Sequence, residues 1–103
     1  MIIYVVNTTF KKEIRNEWLN WMKEVHIPDM LQTGYFTGAQ IFSVILPARS
    51  GDEVSYTVQY TSDTYEKFMS YKVKEAKRMG KKVEEKFGAS VVLERSLLES
   101  VGE

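Results

Sequence analysis

Ile2-Ile-Tyr-Val-Val-Asn-Thr-Thr9 is the stretch that decides the fold. Eight residues dense in Ile, Val and Tyr favour an extended strand, with apolar side chains on both alternating faces: Ile3 and Val5 on one, Tyr4 and Val6 on the other. A strand that is apolar on both faces belongs at the centre of a sheet whose two sides are both covered. The two covers have to come from the rest of the chain or from another copy of it.

Downstream the period changes. From Lys11 onward, Ile14, Trp18, Trp21, Met22 and Val25 recur three and four residues apart, an apolar stripe of about 100° that a first helix would lay on a core. Pro28 disfavours helical geometry at Ile27 and Gly34 offers a left-handed stop, so this helix ends or bends between them. Phe36 to Leu46 is rich in aromatic and β-branched residues, Val54 to Thr61 alternates, and Pro47 to Asp52 is long enough for one hairpin loop between them. Asp63-Thr-Tyr-Glu66 has the capping-box pattern, in which the Asp63 carboxylate accepts from first-turn amides and opens a second helix. The stripe of Tyr65, Phe68, Met69, Ala76, Met79, Val83 and Phe87 runs to Gly88 as a C-terminal cap, and Ala89 to Leu98 supplies a fourth strand.

The resulting order, βαββαβ, is the split plan called ferredoxin-like: an α+β domain over residues 1–103 with an antiparallel four-stranded sheet and two helices on one face. Helices cover one side only. Were the other side solvated, its register in the first strand would be polar, and it is not. A second copy of the same sheet, related by a two-fold axis, is the economical cover, so a homodimer through the open face is expected.

Composition narrows the chemistry. With 44% hydrophobic and 27% charged residues in 103, the chain is an ordinary globular one. Fourteen Lys and Arg balance fourteen Asp and Glu, so no net field draws nucleic acid or anionic lipid, and neither is an expected partner. Without cysteine there is no disulfide, thiolate nucleophile or Cys-based zinc site, and one histidine makes no His-rich cluster; no metal or cofactor is expected. The apolar N-terminal run falls far short of the roughly 20 residues of a membrane span and carries neither a basic leader nor a cleavage site, which points to a cytoplasmic location.

Ile3-Tyr-Val-Val-Asn7 looks like the first signature of RNA-recognition domains, which share this element order. The partner signature on the third strand would need a basic residue, a glycine and two outward aromatics, where this chain has Glu53, Val54, Ser55 and Thr57. The base-stacking platforms are missing. His26, the only imidazole, sits at the edge of the first helical stripe; it can act as a general acid or base toward a ligand, or simply meet the last carbonyls of the helix. Lys72 falls inside the second stripe, which means a break near Ser70 and Tyr71, a snorkelling amine, or an anion contact. Neighbours Glu94 and Arg95 point to opposite faces, so one of them looks into a cavity between sheets. Trp18, Trp21, Tyr56, Tyr60 and the five methionines supply bulk for a core or a pocket, while the polar row Ser55, Thr57 and Gln59 offers groups that could orient a ligand or meet solvent.

Taken together, Met1-Ile-Ile-Tyr4, Glu17-Trp-Leu-Asn-Trp-Met-Lys-Glu-Val-His-Ile-Pro-Asp29, Gly34-Tyr-Phe36, Tyr56-Thr-Val-Gln-Tyr60, Phe87-Gly88 and Arg95-Ser-Leu-Leu-Glu99 resemble the bacterial domain-of-unknown-function family numbered 4286 over essentially the whole chain. That family is similar to the dimeric α/β-barrel group, in which two ferredoxin-like protomers pack sheet to sheet around a cavity. Relatives in the group include cofactor-independent monooxygenases, haem-degrading enzymes, EthD-like proteins and stress-response dimers, and some EthD-like proteins share a first-helix His closely followed by Pro, here His26 and Pro28. No single reaction follows from such a fold. The residues and the resemblance together lead to a homodimer holding a small, mostly apolar molecule in or beside the inter-sheet cavity, and the residues read above supply His26 as the catalytic candidate and Tyr4, Trp18, Thr57, Gln59, Lys72 and Arg95 as ligand-binding candidates. The alternatives are a non-catalytic sensor or interaction module and a monooxygenase-like or isomerase-like enzyme. The catalytic version requires an enclosed volume of about 300 Å³ or more with a polar group facing it.

Overall fold

In the computed structural model, which describes residues 1–102, β1 (Ile2–Lys11) pairs with both β3 (Glu53–Ser62) and β4 (Val91–Glu99). The short β2 (Gly38–Ser43) adds to the far side of β3, so the sheet runs β2-β3-β1-β4 and is antiparallel throughout. The strand that is apolar on both faces is therefore central, as its composition requires. The register places Tyr4 opposite Tyr60 and Leu97, and Val6 opposite Val58 and Arg95. Even-numbered residues of β1 and β3 and odd-numbered residues of β2 and β4 thus share the face on which the helices pack. Tyr4 meets Phe68 and Tyr71, Phe10 meets Trp18, and the core of Phe36, Met30, Met79 and Phe87 fills the layer between.

The first helical arm is continuous but not uniform. A 3-10 turn (Lys12–Ile14) leads into α1 (Arg15–Trp21), a wide π-helical turn covers Met22–His26, and α2 follows (Ile27–Gln32). Contrary to the sequence expectation, Ile27 is helical at φ −63, ψ −46. The wide turn explains the tolerance: the Ile27 amide already donates to the Met22 carbonyl five residues back, so the usual i→i−4 ladder is out of step where Pro28 has no proton to give. It also corrects the stripe. Trp18, Met22, His26 and Met30 are all buried at four-residue spacing, while Val25 is exposed. In a straight α-helix that spacing rotates by about 40° per step, and the extra residue in the wide turn takes up the drift. The arm stops where expected, with Gly34 at φ +86 and its amide on the Leu31 carbonyl.

The second arm has two pieces, α3 (Tyr65–Lys74) and α4 (Ala76–Phe87), joined at Glu75, whose φ −127 and ψ −26 leave helical geometry. The interruption resets the phase. Tyr71, not Lys72, faces the core; Lys72 and Tyr65 are exposed, which removes the need for an anion beside Lys72. The N-cap is Thr64, whose Oγ1 accepts from the Lys67 amide at 3.1 Å, while the Asp63 carboxylate pairs with the Lys67 ammonium at 3.3 Å. The N-cap is thus one residue later than expected, and with Lys67 at the third helical position there is no reciprocal half of a capping box. No helix among the described residues is long and apolar enough to cross a membrane.

Candidate functional site

Gly80 is the residue that makes room. It lies four residues after Ala76 on the α4 face turned toward β4, so two small side chains in a row leave helix and strand apart. A Cβ built on Gly80 meets nothing within 4 Å. The gap continues outward as a groove of about 810 Å³ along Val83, Val91 and Leu93, and inward as a pocket of about 50 Å³ under the helices. Trp18, Met22, Val6 and Leu93 supply apolar wall to the inner part; His26, Tyr60, Tyr71 and Arg95 supply the polar groups.

His26 reaches this pocket because of the wide turn that also shifts the stripe. Its ring stacks on Trp21 with centroids 4.8 Å apart and planes 15° apart, and it is buried. Its Nδ1 is buried without a hydrogen-bond partner, an uncommon situation for a polar atom in an interior. Burial pushes its pKa down to about 4, with the Asp29 carboxylate opposing the shift and the Lys82 ammonium adding to it. Those two charges pair with each other at 3.1 Å and tie α2 to α4. At neutral pH the imidazole is uncharged. The expected place near a helix end is therefore corrected: His26 lies mid-arm, inside the core, with no terminal carbonyls to meet.

The phenols make the second group. Tyr4, Tyr60 and Tyr71 gather with Phe36 and Phe68 at ring distances of 4.8 to 6.2 Å. Burial raises the pKa of all three; for Tyr4 the Arg95 guanidinium partly opposes the rise, and for Tyr71 it does so after Tyr4 has added to it. All three stay protonated and can donate. The Tyr71 hydroxyl gives its proton to the Met30 thioether at 3.3 Å, a weak acceptor. At neutral pH the pocket offers phenolic donors, a neutral imidazole and one guanidinium.

The structure brings together Trp18, His26 and Arg95, with Tyr4 beside Arg95, and separates them from the remaining candidates. Thr57 and Gln59 lie on the opposite, open face of the sheet, opposite Asn7 and Val5 of β1, and Lys72 lies on the outside of α3. The pocket that holds His26 is thus under the helices and not between sheets, because β1 turns Tyr4 and Val6 toward the helices and Ile3 and Val5 away. Arg95 shares the pocket face and Glu94 the open face. Tyr60, read as bulk for a core or a pocket, joins the site, and Tyr71 and Gly80 join it without having been singled out. The paired small residues Ala76 and Gly80, at helical spacing within an apolar stripe, were the readable signal. No group of three or more His, Asp or Glu among the described residues could hold a metal.

The sequence profile of the family described as "Domain of unknown function (DUF4286)" matches residues 1–101. The chain belongs to this family. No curated protein sequence matches this DUF4286 chain. Among solved structures it is similar to HapK from Hahella chejuensis, at TM-score 0.71 and 13% identity over 100% of this chain and 95% of that one. It is also similar to an EthD-family protein from Bacillus halodurans, at TM-score 0.66 and 14% identity over 98% of this chain and 100% of that one. A de novo designed protein with a ferredoxin fold, LFR1 1, aligns at TM-score 0.50 and 17% identity over 99% of the DUF4286 chain and 88% of its own. At such identities the likeness is one of fold.

Proposed function

We propose that two copies of this chain pair through their open sheet faces and that each binds a small, mostly apolar molecule in its own cleft between α4 and β4. The observation that carries the binding reading is the cleft at Ala76 and Gly80, which leads to His26, whose buried Nδ1 has no hydrogen-bond partner. A gap at two small residues stabilises nothing, whereas a mostly apolar guest would regain contacts with Val83 and Leu93, and a polar atom on it would offer His26 a partner. Pairing is supported by the open face, where Ile3, Val5, Phe42, Val92 and Leu98 stand among Asn7, Thr57 and Gln59. The resemblance to the dimeric barrel group points the same way.

Binding is favoured over catalysis by two features. The inner part holds about 50 Å³, well below the volume a buried reaction centre needs. An imidazole with a pKa near 4 is also a poor proton acceptor for work at neutral pH, though a good hydrogen-bond partner. The test is titration of the ¹⁵N-labelled protein with indole. Amide shifts confined to Gly80, Val83 and Leu93, and abolished in Gly80→Leu, are expected. Shifts on the open face, or none, would overturn the cleft reading. Light scattering at micromolar concentration is expected to return about 24 kDa, twice the 12.0 kDa chain, and a 12.0 kDa particle refutes the pairing.

A further inference from the structure

Arg95 is the one cation that lines both the inner pocket and the outer groove. Its position in the sheet, opposite Val6 of β1, turns it toward the helices, to the junction of the two spaces. Arg95 is exposed, and its setting lies in the two spaces that meet at it. No carboxylate lies within ion-pairing distance of it among the described residues, a state it shares with the groove lysines Lys77 and Lys81. Around the outer groove the three cations Lys77, Lys81 and Arg95 face the two carboxylates Glu84 and Glu85, an excess of one positive charge. The inner pocket has no carboxylate in its wall. Beside Arg95 stand the protonated Tyr4 and Tyr71 phenols, and the Tyr71 proton is spent on a thioether that any carboxylate oxygen would outcompete.

From this geometry we infer that the ligand is an apolar acid: a hydrocarbon or aromatic body along Val83, Val91 and Leu93, and one anionic oxygen group on Arg95 with the Tyr71 hydroxyl as second donor. The inference rests on the cleft being a binding site and adds the charge of what it takes. A planar guanidinium meets a carboxylate through two parallel hydrogen bonds, a geometry that a lysine cannot reproduce. Arg95 is exposed at the mouth of the cleft, so a ligand that covers it is what would withdraw the pair from screening water.

The experiment compares benzoate, 2-naphthoate and octanoate with their uncharged primary amides, by calorimetry and by the amide shifts of Gly80 and Leu93. At least one acid is expected to bind tenfold or more tightly than its amide. That ratio is expected to fall to within twofold in Arg95→Gln, to recover only in part in Arg95→Lys, and to persist in Lys81→Gln. Acids and amides that bind alike would overturn the charge preference and leave the cleft reading intact. Failure of every acid and every amide to move the cleft residues would overturn both. An equal loss of the ratio in Lys81→Gln and Arg95→Gln would assign the preference to diffuse rim charge and refute the role of Arg95.

Discussion

Replacing Gly80 by alanine is expected to stabilise this protein. Gly80 lies in the interior of α4, where glycine costs about 1 kcal/mol relative to alanine because its backbone loses more freedom on folding. Most buried glycines repay that cost by admitting a neighbouring backbone, so alanine there would clash. Here the added Cβ meets nothing within 4 Å, so no clash offsets the propensity gain and no new contact adds to it. The whole effect is then about 1 kcal/mol, which for a chain of this size raises Tm by roughly 4–8 °C. Urea unfolding followed by Trp18 and Trp21 fluorescence measures it, at one fixed protein concentration because association would couple to stability. An unchanged slope with a raised midpoint is expected. A Gly80→Ala protein less stable than the parent would show that α4 and β4 touch at this point, and the cleft with all that is built on it would be refuted.

Other expectations are equally direct. The folded His26 titrates near 4, below the ordinary 6.5, so the unfolded chain takes up its proton first as pH falls; this group's contribution is complete above about pH 6.5 and is lost toward pH 4, by up to roughly 3 kcal/mol. His26→Gln is expected to flatten the stability profile between those values, and parallel profiles for parent and variant would refute the buried neutral imidazole. Thr64→Ala removes the acceptor for the Lys67 amide and is expected to cost about 1 kcal/mol in urea unfolding, with Thr64→Ser close to the parent. Leu98→Glu, on the open face and half exposed in a single copy, is expected to yield 12.0 kDa particles by light scattering with unchanged far-ultraviolet dichroism; a particle of twice that mass would show that Leu98 lies outside any pairing surface.

How much of this was readable in advance follows from the range of each interaction. The strands were legible because alternation is a property of neighbouring residues: Val54 to Thr61 shows its two faces in its own letters, and the two-sided apolarity of residues 2 to 6 marks a central strand. The hairpin loop and the stops at Gly34 and Gly88 were legible for the same reason, since a glycine in the left-handed region is a local demand. The helical arms were legible as stripes but not in their detail. Whether Val25 or His26 faces inward depends on one extra residue in a turn, and whether Tyr71 or Lys72 does depends on the break at Glu75, and both are settled by packing against the sheet.

The site divides along the same line. Residue types and their alternation along each strand or helix came from the amino-acid order alone: that Arg95 and Glu94 part company, that Thr57 and Gln59 share a face, that Trp18 and His26 belong to one helical arm. Which of those faces looks at which was decided only when four strands and two arms packed together, because the sign of a face is not a local property. That packing put Tyr4, Trp18, His26 and Arg95 on one side of the sheet and left Thr57 and Gln59 on the other. It also turned the small side chains of Ala76 and Gly80, unremarkable in a helix, into an opening, since a gap exists only between two surfaces.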